Sequence, residues 1–487
     1  MQRPFLGVLV KLSACLAIVL FPLLLSSHAA GATPPSQAGR TCHLPGSEEP
    51  LRCLKVTVPL DYAAPASTID IHVTVAPAFR ESARPDPLFI LAGGPGQAGS
   101  DVLGFLDQVF RRVRATRDIV FIDQRGTGLS GKLDCASKPE YETMSDTQLQ
   151  AIAAGCIASL GKNFSAYTTA NAARDIDMVR RAIGYGKINL WGGSYGTRLG
   201  QAYARAFPAQ VRSLILDGVA APDQIIPAGG VDGKAALDGL FRACAKDQAC
   251  NKAFPALRSE FDALVARLGA GPVEVSLANP RTTLPLRESM TRARFLSTVH
   301  NVLYSPQDSR RLPYMIHSAH QGRWEPFVAR RNASGDFATE GPMAMGLYVA
   351  VVCAEDYSRL TPQMAAADAS ASLLAVGTIK QMETMCKAAQ VPAVPLSAPT
   401  RIDAPVLMLS GALDPVTPPR RAEAAGQHIA RAQHVVVTHA GHGISQLGCG
   451  PRLLRTFLDN PAQKLDAKCL SEIPAPTFQV GSAGPHP

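Results

Sequence analysis

Residues 188–200 read INLWGGSYGTRLG, and this stretch decides how the chain is expected to fold. A short apolar run leads into Gly-Gly-Ser-Tyr-Gly, and a helix-like run starts at Arg198. A serine flanked by glycines between a strand and a helix is typical of a nucleophile elbow, which holds the side chain out at the end of the strand. The glycines permit a turn too tight for larger residues. We therefore predict that Ser194 is a nucleophile. The alternative is an ordinary glycine-rich turn.

A nucleophilic serine needs a histidine base and an acid that orients it, and after such an elbow they follow in the order acid, then histidine. Asp414 lies in the turn-forming segment GALDP after an apolar run, and His442 lies between glycines after the next run. We predict these two residues as the partners. His439 is the second candidate for the base, and His434 lies at the wrong end of its run. Asp217, at the end of SLILD, is the rival acid.

The oxyanion formed during attack requires two backbone N–H donors. One is expected from Tyr195, directly after the nucleophile. The other is expected from the loop GGPG that follows the apolar run PLFILA. Because proline has no N–H, the donor in that loop is Gly94 or Gly93, and we favour Gly94. The alternative is that this loop is a simple turn.

Continuous apolar runs recur along the chain, as expected for strands buried on both faces of a parallel sheet. They lie at 87–92, 118–122, 188–191, 213–216, 405–410 and 435–438. Helix-length segments separate them, which favours an α/β fold with a mostly parallel, doubly wound sheet. Two earlier runs, 54–59 and 69–75, alternate with period two and predict an antiparallel opening hairpin.

The alternation stops between residues 222 and 395, where amphipathic helical patterns dominate. We expect this segment to be a helical cap inserted over the sheet. It would separate a first core part, residues 30–221, from a second part, residues 396–475, that carries the acid and histidine loops. The Pro/Gly/Ser-rich end, residues 476–487, is expected to be a flexible tail.

The amino terminus has the pattern of a secretory signal peptide covering residues 1–29. Arg3 and Lys11 form its positive region, and an apolar run from 12 to 25 precedes small residues. A transmembrane anchor would need ~20 apolar residues, and this run is shorter and contains Pro22. With a net charge of +9 over 487 residues and no block of basic residues, nucleic acid is an unexpected partner.

Export fits the cysteines. Eleven are present, and removal of the signal segment with Cys15 leaves ten. In an oxidising compartment such residues form disulfides, although the sequence does not determine their connectivity. We expect five short-range pairs: Cys42/Cys53, Cys135/Cys156, Cys244/Cys250, Cys353/Cys386 and Cys449/Cys469. No metal site is expected, because no paired CxxC spacing occurs. The alternative for each pair is free, buried cysteines.

With these motifs the sequence resembles the prolyl iminopeptidase and tripeptidyl aminopeptidase family of α/β-hydrolases, and most closely the exported tripeptidyl type. The segments GGPG at 93–96, DQRGTGLS at 123–130 and GGSYG at 192–196 carry the resemblance, together with the segments of Asp414 and His442. Prolyl members usually have histidine before GGPG, where this chain has Ala92. The resemblance implies an α/β-hydrolase fold with a helical cap and a serine exopeptidase without a cofactor.

An aminopeptidase must bind the α-ammonium group of its substrate, and a carboxylate in the cap would do so. Glu355 and Asp356, in an otherwise apolar run, are the candidates; a solvated helix end or an internal salt bridge is the alternative. We therefore expect an exported, periplasmic or extracellular aminopeptidase acting on peptides with a free amino terminus, with no membrane association after signal cleavage. The sequence leaves open an esterase or lipase using the same triad, and a non-catalytic binding protein.

Overall fold

The computed structural model describes residues 39–135, 144–160, 164–278, 283–333, 343–371, 375–395 and 399–484. The predicted signal peptide, residues 1–29, lies outside these ranges. Within them, none of the helices is both long enough and apolar enough to cross a membrane.

A nine-stranded sheet forms the centre of the molecule, with the strand order β1-β2-β3-β5-β4-β6-β7-β10-β11. The strands from β5 to β11 in this order pair in parallel, and the others are antiparallel. The predicted fold class and the opening hairpin β2–β3 are thereby confirmed. The strands of the chain are β1 (Arg40–Cys42), β2 (Leu51–Pro59), β3 (Thr68–Ala76), β4 (Leu88–Leu91), β5 (Ile119–Ile122), β6 (Ile188–Gly193), β7 (Val211–Asp217), β8 (Val273–Ala278), β9 (Pro285–Met290), β10 (Ile402–Gly411) and β11 (Ile429–Val437).

Helices cover both faces of this sheet, because its central strands are apolar on both sides. The described residues form the helices α1 (Arg111–Arg114), α2 (Asp146–Ser159), α3 (Thr169–Ala182), α4 (Tyr195–Ala206), α5 (Gly230–Lys246), α6 (Gln248–Ala253), α7 (Leu257–Ala270), α8 (Arg292–Leu303), α9 (Pro306–Ser309), α10 (Leu312–His320), α11 (Glu325–Ala333), α12 (Met345–Val351), α13 (Pro362–Ala371), α14 (Ala375–Ala389), α15 (Pro419–Gly426), α16 (Gly450–Asp459) and α17 (Lys468–Ser471). On one face, Val179 of α3 and Leu199 of α4 pack in one core with strand residues. On the other, Phe457 of α16 joins a second core.

The residues from α5 to α11 pack around a third apolar core that includes Phe295 and Phe327. These helices lie within residues 222–395, the segment whose sequence predicts helices. The sequence reasoning missed the two-stranded sheet β8–β9, whose strands pair antiparallel with Val273 opposite Met290. Its strands are short and partly exposed; β8 has polar residues at alternate positions and β9 has three in succession, Arg287 to Ser289, so both lack the apolar runs used to identify the central strands.

The carboxyl-terminal segment differs from the expected flexible tail. Phe478 is only 4% exposed and belongs to the apolar core around Phe295. The guanidinium of Arg310 lies 4.1 Å from its ring centroid. The backbone N–H of Gln479 also donates to the carbonyl of Arg310 at 3.1 Å. The prediction of a flexible tail is therefore wrong for Phe478 and Gln479, because a buried aromatic side chain attaches this otherwise Pro/Gly-rich segment to the apolar core of α5 to α11.

Five disulfides join the pairs expected from the sequence. They are Cys42–Cys53, Cys135–Cys156, Cys244–Cys250, Cys353–Cys386 and Cys449–Cys469. This set fits a protein of an oxidising, extracellular or periplasmic compartment.

Candidate active site

Ser194 occupies the turn between β6 and α4 in a backbone conformation that residues other than glycine rarely adopt. Its φ is 54° and its ψ is −124°, and its N–H donates to the carbonyl of Asp217 at 2.9 Å. Gly196 makes this turn possible, since a Cβ there would overlap the carbonyl oxygen of Leu91 and lie 2.7 Å from that of Ala92. Non-glycine residues at positive φ are strained and cluster at functional sites. The glycines of the motif thus serve a close approach between the elbow and the neighbouring strand β4.

His442 and Asp414 form a direct pair. The Nδ1 of His442 lies 2.8 Å from Oδ2 of Asp414, whose side chain is fully buried. Asp414 also accepts the backbone N–H groups of Val416 at 2.9 Å and Thr417 at 2.8 Å, and the hydroxyl of Thr417 at 2.7 Å. A carboxylate held this way accepts a hydrogen bond from the N–H at Nδ1, which leaves Nε2 of the imidazole as the acceptor.

The pair shifts the pKa of both groups. Burial alone would lower the pKa of His442, but the Asp414 carboxylate outweighs it and raises that pKa above its usual value. Burial alone would raise the pKa of Asp414, but His442 and the N–H donors from Thr417 and Val416 lower it. The acid therefore stays ionised while the histidine gains basicity, as a general base requires.

Ser194 and His442 lie against the same short piece of backbone at the end of β7. Ser194 is bonded to the carbonyl of Asp217, as described above. The next residue, Gly218 (φ 68°), is so close to His442 that a Cβ there would lie 2.9 Å from Cε1 of the ring. The structure thus brings together loops that are hundreds of residues apart in the sequence.

Asp217, the rival acid, has a different set of partners. Its two carboxylate oxygens accept the backbone N–H groups of Ile444 at 2.8 Å and Ser445 at 2.7 Å. The hydroxyl of Ser445 in turn accepts the indole N–H of Trp191 at 2.9 Å. Asp217 therefore holds the loop after His442, whereas Asp414 contacts the ring itself.

Neither alternative histidine has this arrangement. The Nε2 of His434 lies 3.0 Å from the hydroxyl of Ser410 on the adjacent strand β10. His439 is half-buried in the turn after β11 and precedes His442 by three residues.

Two residues that the sequence reasoning missed contact the pair. The hydroxyl of Thr417 lies 3.1 Å from Nδ1 of His442, in addition to its bond to Asp414. Tyr304, which follows α8, accepts the backbone N–H of His442 at 2.9 Å, and its ring lies 5.1 Å from the imidazole at an interplanar angle of 74°. A hydroxyl residue three positions after a turn-forming aspartate is a local signal that could have identified Thr417. Tyr304 has no such signal, because its contact depends on how the end of α8 packs against the loop of His442.

The predicted oxyanion donors flank the elbow. The N–H of Gly93 donates to Oε1 of Gln97 at 3.1 Å. Since Pro95 has no N–H, Gly94 is the remaining candidate donor of this loop. Its φ of 108° suits glycine, and a Cβ there would lie 2.6 Å from the side chain of Met343. Tyr195 is the first residue of α4, where a backbone N–H has no acceptor within the helix.

The two candidate amine-binding carboxylates lie in one π-helical turn, Val352–Asp356, and differ in their surroundings. Asp356 is fully buried and accepts Nη1 of Arg198 at 2.9 Å, Nη2 of Arg359 at 2.7 Å and the N–H of Ile226 at 3.2 Å. It matches the internal salt bridge named as the alternative.

Glu355 is partly exposed and accepts the N–H of Thr169 at 2.6 Å and the hydroxyl of Thr169 at 2.7 Å. Burial raises its pKa, and the bonds from Thr169 oppose that effect. Of the two carboxylates, only Glu355 is partly exposed.

Comparison with known proteins agrees with this geometry. A family model described as the alpha/beta hydrolase fold matches residues 86–446. The chain is 28% identical over 415 residues to the serine protease Hip1 of Mycobacterium tuberculosis, covering 75% of this chain and 76% of that protein. It is 32% identical over 216 residues to the tripeptidyl aminopeptidase of Streptomyces lividans, covering 40% of each. The proline iminopeptidase of Neisseria gonorrhoeae is 34% identical over 145 residues, 29% of this chain and 36% of that protein.

Proposed function

The chain belongs to the alpha/beta hydrolase fold family, and we propose that it is a serine peptidase that removes residues from the free amino end of peptides. The pairing of His442 with the buried Asp414, at 2.8 Å, is the observation that carries the proposal. The strained Ser194 at the elbow supports it, and so do relatives that are named as a serine protease and as aminopeptidases.

In the proposed reaction, Nε2 of His442 takes the proton of the Ser194 hydroxyl as its oxygen attacks the scissile carbonyl. Asp414 holds the proton on Nδ1 and stabilises the imidazolium that forms. The backbone N–H groups of Gly94 and Tyr195 stabilise the oxyanion. The imidazolium then gives its proton to the leaving amine, and a water activated by the same histidine hydrolyses the acyl-enzyme.

Specificity for a free amino terminus is assigned to Glu355. Its carboxylate is connected through Thr169 to Tyr195, the residue after the nucleophile, and so lies close to the reacting centre. A charge-assisted bond from a substrate ammonium would add about 1.5–3 kcal/mol of binding energy, about a 10- to 100-fold preference over a blocked amine. Asp356 would act indirectly, through its ion pair with Arg198.

The test compares a peptide anilide bearing a free amine with its N-acetyl form and with an activated ester that has no amine. An aminopeptidase is expected to cleave the free amine at least ten times faster than the acetylated peptide. Equal rates, with rapid ester hydrolysis, would indicate the alternative, a carboxylic-ester hydrolase. A Ser194→Ala variant should lose about 10⁶-fold in kcat and fail to react with a fluorophosphonate, while normal turnover in that variant would exclude the mechanism.

We further propose that the protein is exported to the periplasm or the extracellular space, supported by its five disulfides. Fractionation of cells that express the full chain, followed by thiol alkylation before and after reduction, tests this. Export predicts a protein outside the cytoplasm with ten alkylatable thiols after reduction only. Recovery of a cytoplasmic, fully reduced and active protein would contradict it.

A further inference from the structure

Three side chains form a hydrogen-bond chain from the nucleophile's neighbour to the cap. The phenol oxygen of Tyr195 lies 2.7 Å from the hydroxyl of Thr169. That hydroxyl lies 2.7 Å from Oε2 of Glu355, and the N–H of Thr169 donates to Oε1 at 2.6 Å. Tyr195 belongs to α4, Thr169 begins α3 and Glu355 lies in the π-helical turn Val352–Asp356. One threonine hydroxyl therefore links the three elements.

The protons of this chain have one consistent direction. An ionised carboxylate only accepts hydrogen bonds, so the single proton of the Thr169 hydroxyl points at Glu355. The oxygen of Thr169 is then an acceptor, and the phenol of Tyr195 must donate to it. Hydrogen bonds aligned in this way strengthen one another. With Glu355 ionised, both of its oxygens accept from Thr169, and this is also the form that binds an ammonium group.

Burial and two neighbouring charged groups act on the pKa of Glu355, and their net effect is to raise it. Burial raises the pKa of Glu355, and the nearby Asp356 also raises it, while Arg198 lowers it. Both of these groups are committed to their own ion pair at 2.9 Å. The phenol of Tyr195 also faces the carboxylate, and the guanidinium of Arg359 donates to the backbone carbonyl of Glu355 at 2.6 Å and to Asp356 at 2.7 Å. The two bonds from Thr169, at the amino end of the 14-residue helix α3, are therefore the direct support of the ionised form.

We propose that Thr169 is a positioning residue for peptide specificity. Its two hydrogen bonds orient the Glu355 carboxylate and stabilise its ionised form for the substrate amine. Its hydroxyl also connects that carboxylate to Tyr195 beside the nucleophile. The proposal rests on the aminopeptidase function argued above. It adds that discrimination between free and blocked amino ends depends on a threonine that does not itself contact the reacting atoms.

The decisive variant is Thr169→Val, which keeps the shape and the backbone N–H but removes the hydroxyl. We expect kcat/KM for the free-amine anilide to fall about 10- to 100-fold, the range expected for a hydrogen bond to a charged group. Hydrolysis of the activated ester should change less than about threefold, because the ester has no amine for Glu355 to bind. Since the carboxylate loses a donor, the ratio of free-amine to ester kcat/KM should fall at a higher pH on acidification than in the unaltered enzyme, whereas the His442 limb seen with the ester stays in place. Thr169→Ser should restore both properties.

Thr168→Val is the matched control, because Thr168 is the N-cap of the same helix and its hydroxyl accepts the N–H of Asn171 at 3.2 Å. If Thr169 only stabilised α3, the two valine variants would lower both activities alike, and that result would overturn the proposal. Unchanged amine preference in a folded Thr169→Val protein would do the same. If the unaltered enzyme shows no amine preference, the aminopeptidase function fails first. Tyr195→Phe should weaken the preference in the same direction as Thr169→Val.

Discussion

Replacing each of two buried aspartates by asparagine would separate their roles near His442. In Asp414→Asn the amide keeps the size of the side chain, but its NH₂ group faces the N–H on Nδ1 or drives the ring to the other tautomer. The substitution thereby removes the 2.8 Å hydrogen bond that orients the base. Loss of the correct tautomer in such triads lowers kcat by about 10⁴-fold, and we expect a decrease of this order with the fold intact.

The matched change, Asp217→Asn, should destabilise the loop after His442 and have little effect on kcat. Asparagine is neutral and has one acceptor oxygen, so it loses one of the two bonds from the N–H groups of Ile444 and Ser445 and keeps the other without charge assistance. We expect the free energy of unfolding to fall by about 1.5–3 kcal/mol, and kcat to fall far less than in Asp414→Asn.

The assay is kcat for the free-amine anilide together with urea unfolding of each variant. Asp403→Asn, at a side chain 84% exposed, controls for the removal of one negative charge and should change neither quantity. The reasoning would be refuted if kcat fell about 10⁴-fold in folded Asp217→Asn while Asp414→Asn kept about a tenth of normal turnover.

Three further outcomes are expected. Gly196→Ala should destabilise the protein by about 1–3 kcal/mol and abolish fluorophosphonate labelling, because its Cβ would overlap the backbone of β4; a labelled variant of normal stability would contradict the geometry of the elbow. As pH rises, kcat/KM should increase through a value above 6.5, since the base must be neutral and Asp414 raises the pKa of His442; a limb below that value in the pH–rate profile would oppose this. Phe478→Ala should lower the free energy of unfolding by about 3–5 kcal/mol, the usual cost of emptying a buried aromatic site; an unchanged urea midpoint would mean that the carboxyl-terminal segment does not hold the cap.

Much of the core could be predicted because each of its signals is local. The strand runs are apolar over their whole length since both faces of the sheet are covered, and the loops with Ser194, Asp414 and His442 follow such runs directly. Parallel strands bring these loops to one edge, so position along the chain is enough to predict proximity.

The residues that contact the triad and its neighbours from other helices could not be predicted in this way. Tyr304 and Thr169 reach their partners only through packing of helices from distant parts of the chain. The adjacent carboxylates Glu355 and Asp356 have the same local sequence pattern. Only the buried Arg198 beside Asp356 shows that Asp356 forms an internal ion pair while Glu355 does not. The buried Phe478 was hidden for a related reason, because one aromatic residue in a Pro/Gly-rich segment has no periodicity.

The span of the disulfides has a consequence for how the chain matures. Each bond joins cysteines between 6 and 33 positions apart. If the chain is exported as proposed, through a narrow channel and from its amino end, each cysteine therefore emerges soon after its disulfide partner. Oxidation can then proceed in order of emergence, each loop closing before the next arrives, and a correct pattern does not require the remote halves of the hydrolase core to have met.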